Sequence, residues 1–277
     1  IEGWPNEVFI VTRVESTATP GIVWIETEGG AEGLHARVEQ AILRPMVRGE
    51  DIDEWSFEVR YRIIWAYDDE KCEPLKELPS DAERYFDSEE VVKATSRKPR
   101  WKHLGVSLEK LKNKVAWPDL TKKMEAVFMP DHHDDPILGR RKLIPIKTVY
   151  LIPMDDENLG YALTAVLNST IVRCFIMSFT EKARGGYFRH FSWVLGMVPM
   201  PKIISSLKTL QTEPNDEDYA MFNALADLSR KFHEEAKREH IGPEKLKELD
   251  RMVAKAYCLT ESELKAVKNY FDFLYAG

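Results

Sequence analysis

Cysteine is nearly missing from this sequence: the 277 residues contain only Cys72, Cys174 and Cys258, far apart. That excludes a disulfide framework and a four-thiolate zinc site, and leaves the three to be read as small buried hydrophobes. No stretch approaches the roughly 18 consecutive apolar residues of a membrane span. The opening Ile-Glu-Gly-Trp-Pro-Asn lacks a basic segment followed by an apolar one, so the chain is expected to be soluble and cytoplasmic. Neither a Gly-x-Gly-x-x-Gly turn nor a phosphate loop ending in Gly-Lys-Ser/Thr occurs, which removes local support for nucleotide-cofactor binding. A His-Glu-x-x-His zinc helix is also missing. His233 and His240 bracket Glu234 at the wrong spacing and are expected on a surface helix. His132-His133-Asp134-Asp135 carries four ligand-type side chains, but adjacent residues point in different directions, and an exposed polar loop before Pro136 is the preferred reading. Pro118-Asp119 and Pro130-Asp131 resemble the opening of a nuclease motif without a Glu-x-Lys or Asp-x-Lys partner.

What is present describes a globular chain: 44% hydrophobic residues, 10% aromatics and no long low-complexity tract or internal repeat. The net charge of −7 argues against a polyanion partner, but its distribution does not. Residues 1–92 hold 9 Lys and Arg against 22 Asp and Glu, residues 93–210 hold 20 against 10, and residues 211–277 hold 10 against 14. The densest basic stretch, 93–123, has ten cations against Glu109 and Asp119 and includes Trp101 and Trp117. Such a run is either a solvated charged face or a surface for phosphates.

The fold class expected is α+β, a mixed β-rich body over residues 1–204 followed by a helical C-terminal segment over 205–277. Val8-Phe-Ile-Val-Thr12 and Gly21-Ile-Val-Trp-Ile25 are β-branched and aromatic runs bounded by turn residues, and 57–65 alternates before turning apolar. Further strand signals fall at 115–117, 125–128 and 146–152. The segment 43–52 reads as an irregular loop punctuated by Pro45 and Gly49, and 66–92 as an acidic loop followed by a helix. Leu159, Leu163, Val166, Leu167, Ile171, Phe175 and Phe179 recur at helical spacing and predict one helix over 159–179. Helices are then expected over 218–240, 243–257 and 262–275, with Pro243 opening the second and Thr260-Glu-Ser-Glu263 forming a capping box.

The most informative stretch is 183–202, Ala-Arg-Gly-Gly-Tyr-Phe-Arg-His-Phe-Ser-Trp-Val-Leu-Gly-Met-Val-Pro-Met-Pro-Lys. A glycine pair flanked by Arg184 and Arg189, with Tyr187, Phe188, His190 and Phe191 interleaved, combines flexible backbone, cationic forks and flat rings. Those are the features of a surface that meets phosphates and base edges. The structural alternative is a glycine turn that sends its aromatics into the core.

Several segments together resemble one family. In order, they are Val8-Phe-Ile-Val11, Leu43-Arg-Pro-Met-Val-Arg-Gly-Glu-Asp-Ile52, Arg62-Ile-Ile-Trp65, Pro74-Leu75, Tyr85-Phe86, Arg97, Trp101, Leu104 and Lys114-Val-Ala-Trp-Pro-Asp119. After these come 146–150, Leu167-Asn-Ser169, Gly185-Gly186, Val198-Pro-Met-Pro201 and Leu249-Asp-Arg-Met-Val-Ala-Lys-Ala-Tyr-Cys-Leu-Thr260. Their order and spacing over nearly the whole chain resemble the C-terminal, TaqI-like specificity region of adenine-specific DNA methyltransferases and fused restriction-and-modification enzymes. Two departures stand out. Cys258 occupies a position where the family usually has Gly, and no Asn-Pro-Pro-Tyr or Asp-Pro-Pro-Tyr/Phe/Trp quartet or S-adenosylmethionine loop occurs, as for an excised recognition domain.

The resemblance implies a DNA target-recognition domain of an adenine-N6 methyltransferase from a restriction-modification or phage-defence system. Its partners would be double-stranded DNA and a methyltransferase catalytic domain, with S-adenosylmethionine bound there and no cofactor in this chain. Arg184, Tyr187 and Arg189 are the first candidates for DNA contact. Lys98, Arg100, Trp101 and Lys102 follow, then Arg140, Arg141 and Lys142. Arg44 and Arg48 are either DNA contacts or structural ion-pair residues, Glu50 and Asp51 being partners open to Arg48. No catalytic residue or metal ligand is assigned. The rival readings are a protein-interaction module that docks a partner through the helical tail, and a small nuclease with an unrecognised site.

Overall fold

The computed structural model describes residues 7–29, 33–95, 99–102, 106–204 and 216–276. The strands of its first half are β1 (Ile10–Ser16), β2 (Ile22–Thr27), β3 (Leu34–Glu39), β4 (Leu43–Val47), β5 (Ile52–Asp53), β6 (Ser56–Phe57) and β7 (Tyr61–Ile64). Then come β8 (Lys114–Pro118), β9 (Leu120–Thr121), β10 (Val127–Met129), β11 (His132–Asp135), β12 (Gly139–Lys142), β13 (Ile144–Pro145), β14 (Val149–Pro153) and β15 (Phe188–Arg189). Helices are α1 (Ser80–Phe86), α2 (Glu89–Ala94), α3 (Glu157–Asn168), α4 (Thr170–Phe179) and α5 (Ser192–Gly196). The C-terminal part holds α6 (Asp216–Ala236), α7 (Pro243–Ala256) and α8 (Glu261–Ala276). The fold is α+β, strand-rich at first and helical at the end. Among the described residues no single helix is long and apolar enough to cross a membrane.

The chain forms two units that are discontinuous in sequence. The first comprises residues up to Val47, Glu58–Lys112 and Pro130–Lys147. Its six-stranded sheet runs β13-β4-β7-β1-β2-β3, antiparallel except where β13 lies parallel to β4. Alternation puts Val11, Val23, Ile25 and Val38 on the buried face, where they join a core with Phe9, Tyr85 and Phe86. The Glu39 carboxylate accepts the backbone N–H groups of Asp81 and Ala82, satisfying the open start of α1 from the neighbouring strand. Residues 43–47, expected within a loop, form the fully buried strand β4. Pro45 is tolerated there because β13 pairs only with Met46 and Val47, so that neighbour makes no ladder bond at the proline.

The second unit comprises Arg48–Phe57, Asn113–Met129 and the chain from Thr148 onward. Here β10-β8-β14 form an antiparallel sheet covered by α3, which packs against α6, while α4 packs against α8. One core joins Trp55, Trp117 and Phe128 to Phe222, Phe232, Leu249 and Val253. The helical tail therefore shares a core with the strands before it, and the division of the chain does not follow residue 204. Gly160 is required in α3 because a Cβ there would come within 2.5 Å of the Phe128 ring.

The single helix expected over 159–179 is two helices, bent by 66° at Asn168-Ser169. The Asn168 side chain accepts from Ala126 N–H and donates to Ala126 C=O, each at 2.8 Å, as a neighbouring strand would. Ser169 turns out of the helix at ψ 149° and its hydroxyl caps α4 by accepting from Val172 N–H. The apolar stripe runs through the bend because both helices face the same core, which is why periodicity alone hides it.

Candidate nucleic-acid interface

The 183–202 stretch begins with a hairpin in the second unit. Ala183 N–H donates to Tyr187 C=O at 2.7 Å, Arg189 N–H to Glu181 C=O at 3.1 Å, and Lys182 bridges Phe188. On its other side β15 pairs with β9, matching Phe188 to Thr121 and Arg189 to Leu120. Gly185 at φ +76° and Gly186 at φ +75° make the tip, a left-handed pair that side-chain-bearing residues rarely adopt. The base is tied to the core: His190 N–H donates to Asp119 C=O at 2.8 Å, and the Trp117 indole N–H to His190 C=O at 2.9 Å.

Alternation along this ribbon sorts the side chains. Phe188 and His190 are buried, whereas Arg184 and Tyr187 are exposed. The structural alternative thus holds for Phe188 and in part for half-buried Phe191, but not for the tip. Arg184 makes no hydrogen bond or ion pair to any described residue. Arg189 is different: its guanidinium donates to the Asp119 carboxylate at 3.2 Å and lies 5.9 Å from the Phe191 ring centre. The structure adds exposed cations that the sequence did not single out: Lys122 lies 5.9 Å from the Tyr187 ring centre and Lys182 lies 5.8 Å from that of Phe188.

The same unit holds a buried charge cluster. Glu54 is held at 3.0 Å by Arg173 and at 2.5 Å by Lys123, and accepts the Trp55 indole N–H at 3.0 Å. Burial would raise the Glu54 carboxyl, but the two cations outweigh it and hold it below its ordinary value. Arg173 also donates to Met124 C=O at 2.8 Å, fixing the segment that leads out of β9. Burial pushes His190 down to about 4, against a smaller upward pull from the Thr121 backbone, so the imidazole is neutral near pH 7. What the hairpin offers chemically is hydrogen-bond donors, positive charge and flat rings on a rigid base.

The remaining candidates fare unevenly. Arg44, Arg100, Trp101, Lys102, Arg140, Arg141 and Lys142 belong to the first unit, and Arg48 to the second; Lys98 lies outside the described residues. Arg44 is a structural residue. It is buried, chelates Asp69 at 2.8–3.2 Å and donates to the carbonyls of Ala41 and Leu43. Arg48 is largely buried, with Glu50 at 3.6 Å, while its backbone N–H donates to Asp51 at 2.8 Å, so the ion-pair alternative holds. Arg100 binds Asp87 at 2.7 Å, and Trp101 gives its indole N–H to Leu75 C=O and packs against Phe86. Lys102 is exposed.

Arg140, Arg141 and Lys142 form β12, paired residue for residue with the His-Asp strand β11. Lys142 reaches Asp131 at 2.8 Å and Arg140 approaches Asp134 at 3.9 Å, which corrects the reading of 132–135 as a loop and explains both sequences as one charge-matched hairpin. Among the described residues no group of three or more His, Cys, Asp or Glu is placed to hold a metal ion. His233, expected on a helix surface, is buried. Its Nδ1–H donates to Ser229 C=O at 2.7 Å and its Nε2 accepts Phe128 N–H at 2.9 Å. The spacing Phe222, Leu225, Ser229, Phe232, His233 is the signal that could have placed it inward. No protein-family model matches the chain, and no curated protein matches it at a significant level.

Proposed function

We propose that this chain is a DNA sequence-recognition domain, the specificity part of an adenine-N6 methyltransferase of a restriction-modification or phage-defence system acting in the cytoplasm. The observation that carries the reading is the hairpin tip: exposed Arg184, without an ion pair among the described residues, beside Tyr187 on a two-glycine turn, flanked by Lys122 and Lys182 and anchored in a packed core. Cations that meet phosphates fix register, and an arginine at the end of a narrow ribbon has the reach and the fork geometry for a guanine edge. The left-handed turn at Cys258, φ +56°, gives further support, because it is a glycine conformation at the position where the resembling family carries Gly. Methyl transfer and S-adenosylmethionine belong to a catalytic half whose motifs this sequence does not contain, and that half would extract the adenine from the stack.

Anisotropy of a labelled random duplex tests the reading. Binding is expected to weaken as salt rises, with a log–log slope of about −0.9 per phosphate neutralised, and Lys122→Ala or Lys182→Ala should reduce that slope by about one unit. A protein that binds no duplex at low salt contradicts it. A second reading, docking of a protein partner, draws on α8, where Tyr270, Phe273 and Tyr275 are exposed.

A further inference from the structure

Directly after the hairpin, three flat groups follow one another. The Arg189 guanidinium lies 5.9 Å from the Phe191 ring centre, and that ring is near-parallel to the Trp193 indole, with centroids 6.4 Å apart and an interplanar angle of 20°. The inner end is fixed, since Asp119 holds Arg189. The outer end is open: Trp193 is 57% exposed although the next two residues of α5, Val194 and Leu195, are buried in the core. A rigid backbone thus presents a large apolar ring to water beside a cationic hairpin. Met197, four residues after Trp193 at the end of the same helix, is exposed as well.

We propose that Trp193 is a stacking platform for an unpaired nucleobase. The proposal rests on the nucleic-acid reading above and names what the site takes beyond the phosphates. The hairpin that leads into this stack argues for the occupant: its exposed cations, Lys182 and Arg184 with Lys122 against Tyr187, favour a polyanion, and of a polyanionic strand only an unstacked base can lay its face on an indole. A base inside a duplex offers its edges, which suit Arg184, while a base outside it offers its face, which suits Trp193.

The test compares a duplex carrying one bulged 2-aminopurine with its fully paired counterpart, titrated at low salt with the wild-type chain, W193A and W193F. Wild type should bind the bulged duplex about tenfold more tightly, a difference of ~1.4 kcal/mol, and quench the 2-aminopurine. W193A should abolish both the preference and the quenching while binding the paired duplex within about twofold of wild type; W193F should keep part of each. Equal binding of the two duplexes by wild type, or a W193A chain that still prefers and quenches the bulge, overturns this proposal alone. Loss of both duplexes alike in W193A also overturns it, because the platform is not needed by paired DNA. Binding of neither duplex by wild type removes the nucleic-acid reading as well.

Discussion

Cys258 shows how far a single backbone angle reaches. It follows α7 with φ +56°, and its N–H and that of Leu259 donate to the carbonyls of Lys255 and Ala254, the two bonds that close a helix with a left-handed residue. A Cβ in that conformation costs about 1 kcal/mol, so Cys258→Gly is expected to stabilise the chain by roughly that amount in chemical denaturation; a lowered midpoint would contradict it. The two buried histidines set the response to acid. Burial holds His190 and His233 at about 4, below the ordinary 6.5, so between these values the unfolded chain binds protons that the folded chain refuses. The stability they contribute is complete above pH ~6.5 and is lost as pH falls toward ~4, by at most on the order of 3 kcal/mol per histidine. His233→Gln, which keeps an acceptor for Phe128 N–H, should flatten that decline, and an unchanged pH profile would show that the imidazole does not titrate with unfolding. Glu125 acts in the opposite sense. Burial raises its carboxyl from 4.5 to about 7, so its contribution is present below the unfolded value and lost as pH rises through 7; Glu125→Gln should therefore stabilise more at pH 8 than at pH 5.

Among the elements, the junction of α3 and α4 carries the clearest structural cost. Asn168 satisfies both backbone groups of Ala126 inside the core, so Asn168→Ala leaves a buried donor and a buried acceptor unmet and should destabilise by about 3 kcal/mol in a denaturant melt. A loss under about 1 kcal/mol would mean that water replaces the amide. This junction also shows which parts of the fold were legible in the sequence. Local signals sufficed where they were complete within one element: β2, β8, the apolar stripes of α3 and α4, Pro243 at the start of α7, and the Thr260–Glu263 box, whose two reciprocal bonds are 2.7 and 3.3 Å. They failed where a distant partner decides. Asn168 breaks a helix because Ala126 is there to be paired, β4 forms around Pro45 because β7 and β13 flank it, and His233 turns inward because Phe128 N–H needs an acceptor. The candidate site divides the same way. The glycine tip and Arg184 were visible as a motif, whereas Lys122 joins them only through the pairing of β9 with β15, and two-residue strands leave no periodicity to read.

At the scale of the whole molecule, charge segregation in the sequence is not charge segregation in space. Residues 93–112 and 130–147, counted as basic, fold in the same unit as the acidic segments 7–47 and 58–92; there Arg100 of the basic run pairs with Asp87 of the acidic segment, and Arg140 and Lys142 face Asp134 and Asp131. In the hairpin of the second unit, by contrast, Arg184 is exposed and makes no ion pair to any described residue. Since no catalytic quartet or S-adenosylmethionine loop occurs in the sequence, the isolated chain should give no saturable heat with S-adenosylmethionine in calorimetry; micromolar binding would place a catalytic site within it. Whether the Arg184 hairpin reads DNA sequence is decided by selecting binders from a randomised duplex library with the wild-type chain and with Arg184→Ala. Wild type should enrich a defined motif, and the variant should still bind but lose preference at a guanine-containing position, by about 1–3 kcal/mol of discrimination. A wild-type chain that enriches no motif, or a variant that enriches the same motif unchanged, would contradict that role.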